Sequence, residues 1–185
     1  MNWYNEPPRW SAENGTITVL TGRDTDFWRI THYDFIHDNG HFYYRAARGN
    51  FSAEVYVSGA YRHLYDQAGL MLRLDEAHWM KAGIEFTDGN QQLSAVVTRE
   101  YSDWSLLPLD GQPDGIWLRL TRHETAIRAE YSLDGSHFEM FRLAYLPWRE
   151  TIDVGVMCCS PQRADLEVHF TDFVVRDAIP RALHS

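Results

Sequence analysis

Between Asp66 and Phe86, apolar and polar side chains alternate in two runs separated by the short link Glu76-Ala77-His78. Ala68, Leu70, Leu72 and Leu74 fall on one side of the first run, with Gln67, Gly69, Met71 and Arg73 on the other. In the second run Met80, Ala82, Ile84 and Phe86 alternate with Trp79, Lys81, Gly83 and Glu85. A period of two belongs to extended chain, whose successive side chains point to opposite faces. The spacing therefore predicts an antiparallel pair with one dry face, and a second face that carries Gln, Arg, Trp, Lys and Glu.

Similar runs recur along the chain. Residues 16–21 follow the turn dipeptide Asn14-Gly15, residues 27–30 follow a polar turn at 23–26, and residues 41–45 follow Asn39-Gly40. In residues 51–58, Phe51, Ala53, Val55 and Val57 alternate with Ser52, Glu54, Tyr56 and Ser58. Further strands are predicted at 92–98, 116–121, 126–132, 138–143, 154–158 and 166–175. Only residues 60–65 offer a turn of helix, and Ser102-Asp103-Trp104-Ser105 reads as a loop. Each strand buries one face, so two sheets must cover each other. The prediction is an all-β sandwich or jelly roll in a single domain, residues 1–178, with residues 179–185 as a fraying tail. Each fully buried large apolar side chain contributes about 1.5–3 kcal/mol, so a charge at Leu72 or Ile84 is expected to unfold the domain.

Composition narrows the function classes. No apolar run approaches the ~20 residues of a membrane span, and the first ten residues lack both a basic and an apolar leader region. Cysteines are confined to the neighbours Cys158 and Cys159, which make no disulfide framework and read as buried, inert thiols. Cytoplasmic residence is the expectation. A net charge of −9 repels phosphate backbones, so neither nucleic acid nor an anionic membrane is expected as a partner. The seven Trp and ten Tyr are enough to fill a core and still line a surface for a ligand or partner.

Asp66-Gln67-Ala68-Gly69-Leu70-Met71, Trp79-Met80-Lys81-Ala82-Gly83-Ile84-Glu85, Ser102-Asp103-Trp104-Ser105, Tyr131-Ser132-Leu133-Asp134-Gly135 and Gly155-Val156-Met157 through Ser160-Pro161 together resemble the regulation-of-enolase family. The resemblance runs from Trp3 to about Asp177. It implies the concanavalin A-like lectin/glucanase superfamily: a jelly-roll sandwich of two curved antiparallel sheets, the concave one open to solvent. It implies no reaction, because that family has none established. Glucanases of the superfamily set their carboxylates on one strand as Glu-x-Asp-x-Glu or Glu-x-Asp-x-x-Glu. This chain lacks that pattern, its nearest approach being Asp165-Leu166-Glu167.

The polar face of the diagnostic pair supplies the candidate site. Gln67 and Arg73 should lie across from Trp79, Lys81 and Glu85, a mix suited to a sugar ring: an aromatic platform with amide, basic and acidic groups for hydroxyls. Trp104 is a candidate rim, and Trp28 and His32 candidates for the other side. Trp117, Arg119, Arg128 and Glu130 repeat the mix elsewhere. The competing reading is that Lys81–Glu85 and Arg119–Glu130 simply satisfy one another on a solvated sheet. Asp24, Asp26, Asp34 and Asp38, with His32, His37 and His41, match no standard metal spacing, so no metal and no cofactor is expected. No phosphate-cradling loop or serine elbow is present. Three readings follow: a module binding a carbohydrate or small polar ligand on the concave sheet, a protein-interaction or regulatory module, or an enzyme acting on glycans. In the third, Glu85 would work with Asp103 or Asp66.

Overall fold

Sixteen β-strands and no helix form the regular structure of residues 1–183, which the computed structural model describes. In chain order they are β1 (Asn2–Tyr4), β2 (Arg9–Glu13), β3 (Thr16–Leu20), β4 (Phe27–Arg29), β5 (Ile36–Asp38), β6 (His41–Arg48), β7 (Phe51–Gly59) and β8 (Gln67–Asp75). There follow β9 (His78–Thr87), β10 (Asn90–Arg99), β11 (Tyr101–Pro108), β12 (Gly115–His123), β13 (Ala126–Ser132), β14 (Glu139–Tyr145), β15 (Thr151–Cys159) and β16 (Glu167–Asp177). Two seven-stranded sheets result, ordered β1-β6-β15-β8-β9-β10-β11 and β14-β13-β12-β7-β16-β3-β2, with β4-β5 as a separate small hairpin. Strand pairing is antiparallel in both large sheets. The architecture is the all-β jelly-roll sandwich that the alternation predicts.

The diagnostic pair is β8 and β9. Leu70 faces Ala82, Met71 faces Lys81 and Leu72 faces Met80, with a bulge between Arg73 and Asp75. Leu70, Leu72, Met80 and Ile84 pack inward against Val55, Val57, Leu118 and Leu120 of the second sheet. Leu72 has no exposed surface. Gly69 and Gly83 stand opposite each other, and a Cβ on either would meet the partner strand's backbone oxygen at 2.1 Å. Only glycine lets the two strands run this close.

Two local expectations are corrected. Residues 60–65 form no helical turn, because the Asp66 carboxylate accepts from the backbone N–H of Arg62 (2.9 Å) and His63 (3.0 Å) and folds the segment back. Ser102-Asp103-Trp104-Ser105 is strand, not loop: Glu100, in the left-handed region at φ 65°, reverses the chain in one residue, and β11 pairs along β10. No glycine or proline marks that reversal. Within the tail, residues 179, 180 and 182 make hydrogen bonds to the second sheet. Ser52 Oγ bonds the Ile179 N–H (3.1 Å), and the Arg128 guanidinium donates to the carbonyls of Pro180 (3.1 Å) and Ala182 (3.0 Å). His184 and Ser185, the end of that tail, lie outside the described residues. Among the described residues no helix is long and apolar enough to cross a membrane.

Candidate functional site

The outer face of the first sheet is divided between a dry half and a pocket. In the dry half, the β4-β5 hairpin and the ring of Tyr4, from the edge strand β1, lie over the sheet. Phe27, Phe42, Met71, Trp79, Met157 and Cys159 pack there as a second apolar cluster. Arg73 makes a bidentate pair with Asp38 (2.9 and 2.9 Å) beneath the Tyr4 ring, whose hydroxyl also donates to Asp38 (2.7 Å). Trp79 is 1% exposed and donates its indole N–H to the Glu76 carbonyl. The expectation that Arg73 and Trp79 would meet a ligand is therefore corrected. Both point to the predicted face, but other chain covers them.

The other half holds a pocket of ≈280 Å³. Gln67 from β8, Lys81 and Glu85 from β9, and Val96 from β10 form its floor. Val96 pairs with Lys81 on one side and Trp104 on the other, so one row across the sheet carries ammonium, methyls and indole in turn. The walls are aromatic. Trp28 of β4 meets Trp104 edge to face at 6.3 Å and 88°, and Tyr65 meets Trp104 at 6.2 Å and 73°. Tyr33 and Phe35, from the turn of the β4-β5 hairpin, stack at 5.3 Å. Asp24, Asp26, His37, Pro161 and Gln162 complete the lining.

The charged groups of the floor are ordered by hydrogen bonds. Lys81 Nζ donates to Gln67 Oε1 (2.6 Å) and Asp26 Oδ1 (3.1 Å), and Gln67 Nε2 donates to the Tyr65 carbonyl (3.1 Å). Glu85 Oε2 accepts from Ser94 Oγ (2.5 Å) and from the Trp104 indole N–H (3.0 Å). Burial works against the Lys81 ammonium, yet the neighbouring acids Asp26 and Glu85 outweigh it and hold its pKa above the ordinary value. Burial pushes the Glu85 carboxyl up, against the opposing pull of Lys81 and of its hydrogen bonds from Ser94 and Trp104. The Tyr33 and Tyr65 hydroxyls share a hydrogen bond (3.0 Å), which with burial pushes Tyr65 up to about 12. Cys158 and Cys159 are fully buried, and burial raises both thiols.

The remaining sequence candidates separate. Trp28 and Trp104 line the pocket, but His32 does not. It lines a second, more open hollow of ≈530 Å³ that shares Trp28, Tyr33 and Trp104 with the pocket, its ring 4.8 Å from Tyr33. Neither proposed companion of Glu85 reaches it. Asp103 alternates away from Trp104 and pairs with Arg142 (3.2 Å), and the fully buried Asp66 is clamped by Arg163 (2.6 Å). Asp26 is the acid that shares the floor. In the sequence it read only as one of several acids that match no standard metal spacing. Among the described residues, no three His, Cys, Asp or Glu side chains gather into such a set. Sequence reasoning also missed Tyr33, Phe35 and Tyr65. The aromatic density of residues 27–42, without a period of two, was the available signal. Arg119 pairs with Glu130 (2.8 Å) and Glu54 (3.4 Å), and Arg128 with Glu130 (3.4 Å), so the charges of that cluster are paired with one another, although Arg128 Nε makes no hydrogen bond.

Fold and site define a jelly-roll β-sandwich with an aromatic-walled, charge-floored pocket on the outer face of one sheet. The chain belongs to the family described as protein of unknown function (DUF1349), which matches residues 3–178. It is 41% identical over 182 residues to regulation of enolase protein 1 of Saccharomyces cerevisiae, covering 98% of this chain and 92% of that one. A crystal structure of a functionally unknown protein from Saccharomyces cerevisiae matches with a TM-score of 0.94 and 40% identity, covering 97% of each chain. A GH43 protein of Bacillus licheniformis shares the fold alone, at a TM-score of 0.71 and 16% identity over 94% of this chain and 36% of that one.

Proposed function

We propose that this protein binds a small carbohydrate or sugar-like molecule in the pocket above Lys81 and Glu85. The observation that carries the reading is a floor of buried polar groups with hydrogen-bonding capacity to spare, beneath aromatic walls. Lys81 has three N–H donors and gives two to protein partners. Glu85 Oε1 and Asp26 Oδ2 accept from no group among the described residues, and neither atom is sealed from the pocket. A sugar ring offers hydroxyls to such atoms and an apolar face to Trp104 or Trp28. Titration calorimetry against a panel of free sugars tests this. Binding by the native protein should weaken about tenfold or more in Trp104→Ala and in Glu85→Gln. No binding by the native protein, or equal binding by both variants, would remove the proposal's support.

A second reading, a protein-interaction or regulatory module, has its own observation. Edge strands β11 and β14 lie on one flank, joined by Asp103–Arg142, and expose Tyr101, Leu107, Leu143 and Tyr145. Unpaired edges bearing apolar side chains are surfaces on which other chains pair. The name of the yeast relative, regulation of enolase protein 1, accords with it. Light scattering coupled to gel filtration separates the readings: self-association that Leu143→Lys abolishes favours the flank, and a strict monomer speaks against it.

A further inference from the structure

We infer that the pocket takes one uncharged sugar ring at a time, either a free monosaccharide or the terminal residue of a glycan. It would exclude internal stretches of a polysaccharide, sugar phosphates and sugar acids. The inference rests on the sugar reading above and adds the size and charge of the ligand.

Size follows from what bounds the pocket. A polymer would need an open channel across the strands, and the outer face of the first sheet does not provide one. On one side, Arg73 and Asp38 pin the β4-β5 hairpin down, and Tyr4, Phe27 and Trp79 fill the space between hairpin and sheet. On the other side Trp104 stands against Trp28 and Tyr65. Overhead, the Tyr33–Tyr65 hydroxyl bond ties the hairpin turn to the segment entering β8. The pocket's ≈280 Å³ lies just below the ~300–1,000 Å³ of most small-molecule pockets. That suits a single ring.

Charge follows from the lining. Asp24, Asp26 and Glu85 face the pocket against the Lys81 ammonium and the imidazole of His37, and no arginine is among the lining residues. Lys81 is already neutralised by Asp26, so an added phosphate or carboxylate would meet more negative than positive charge on the pocket floor. A neutral polyol meets no such penalty. It can donate to Glu85 Oε1 and Asp26 Oδ2 and accept from the remaining Lys81 proton.

The test uses the full chain and the sugar that binds best among free monosaccharides. Calorimetry then compares that sugar with its 6-phosphate, its uronic acid, its linear oligomers and a cyclic oligomer that has no chain end. Expected are affinities within about threefold from one ring to four, no binding of the cyclic oligomer, and at least about tenfold weaker binding of the charged forms. If linear oligomers fail while the monosaccharide binds, the ligand is the free sugar; if both bind alike, it is the terminal residue. Affinity that climbs with each added ring, or binding of the cyclic oligomer, overturns the size limit. Tighter or equal binding of the phosphate overturns the charge limit. Both results leave the sugar reading standing. No binding of any sugar overturns that reading, and this inference with it.

Discussion

Both sheets bury charge on their outer faces, and they do so in different ways. On the second sheet, register sets Arg119 directly across from Glu130 on one neighbour and Glu54 on the other. Arg176 closes on Glu54 and Arg128 on Glu130, so each acid has two basic partners. On the first sheet, Lys81 stands across from Met71 and Val96, and Glu85 across from Gln67 and Gln92. No opposite charge is in register with either. Lys81 takes its counter-ion from Asp26, in a loop outside the sheet, and Glu85 is held by a hydroxyl and an indole. A network paired strand to strand has little left to offer a ligand. Charges whose cross-strand neighbours are uncharged keep open valences, and the pocket is where they gather.

The largest effect expected falls on the core that both faces share. Leu72→Asp sets an unpaired carboxylate between the sheets, at a cost of several kcal/mol, and should leave no cooperative melt by circular dichroism. A folded variant with a native melting curve would sink the sandwich assignment of β8. Next comes Trp79→Ala, which should cost about 3–5 kcal/mol through the cavity left in the dry half. If it instead abolished sugar binding with stability intact, the division of the outer face would be wrong. Arg119→Met comes third. It leaves Glu54 with Arg176 and Glu130 with Arg128, so the expected loss is about 2 kcal/mol in urea denaturation, with pocket binding unchanged. Loss of binding would show that the two faces are coupled.

Legibility in the sequence followed periodicity. The parity of Gln67, Lys81 and Glu85 placed all three on one face, and the structure brings them to one floor. The same parity placed Arg73 and Trp79 with them, correctly as to face and wrongly as to access. What covers a sheet is decided by irregular chain, here residues 27–42, whose packing has no period to read. Asp26 was invisible as the partner of Lys81 for the same reason, since 55 residues separate them and no ladder joins them. β11 was missed because its entry turn rests on Glu100 rather than on glycine. β1 and β2, rich in polar and aromatic residues, are edge strands held by Trp3 tilted against Tyr43 and edge to face with Trp10 rather than by a buried apolar stripe.

The smallest effect is the most specific to the contrast between the faces, because it reads the protonation of Glu85 itself. Burial raises its folded pKa above the ordinary 4.5, while the unfolded chain keeps the ordinary value. Below pH 4.5 both states hold the proton and the residue has no cost. As pH rises past 4.5 the unfolded chain gives up the proton first and the folded chain retains it, so stability falls until the raised pKa is passed. Glu85→Gln carries no such titration, and Asp26, Lys81, Ser94 and Trp104 face the residue in both proteins. The variant should therefore gain on the native protein as pH rises past 4.5, and the gap should level off once the raised pKa is passed. Thermal melts of the pair from pH 4 to 8 measure it. A gap that stays constant, or that closes as pH rises, would mean that Glu85 is as well paired as the acids of the second sheet, and the contrast between the two faces would lose its electrostatic basis.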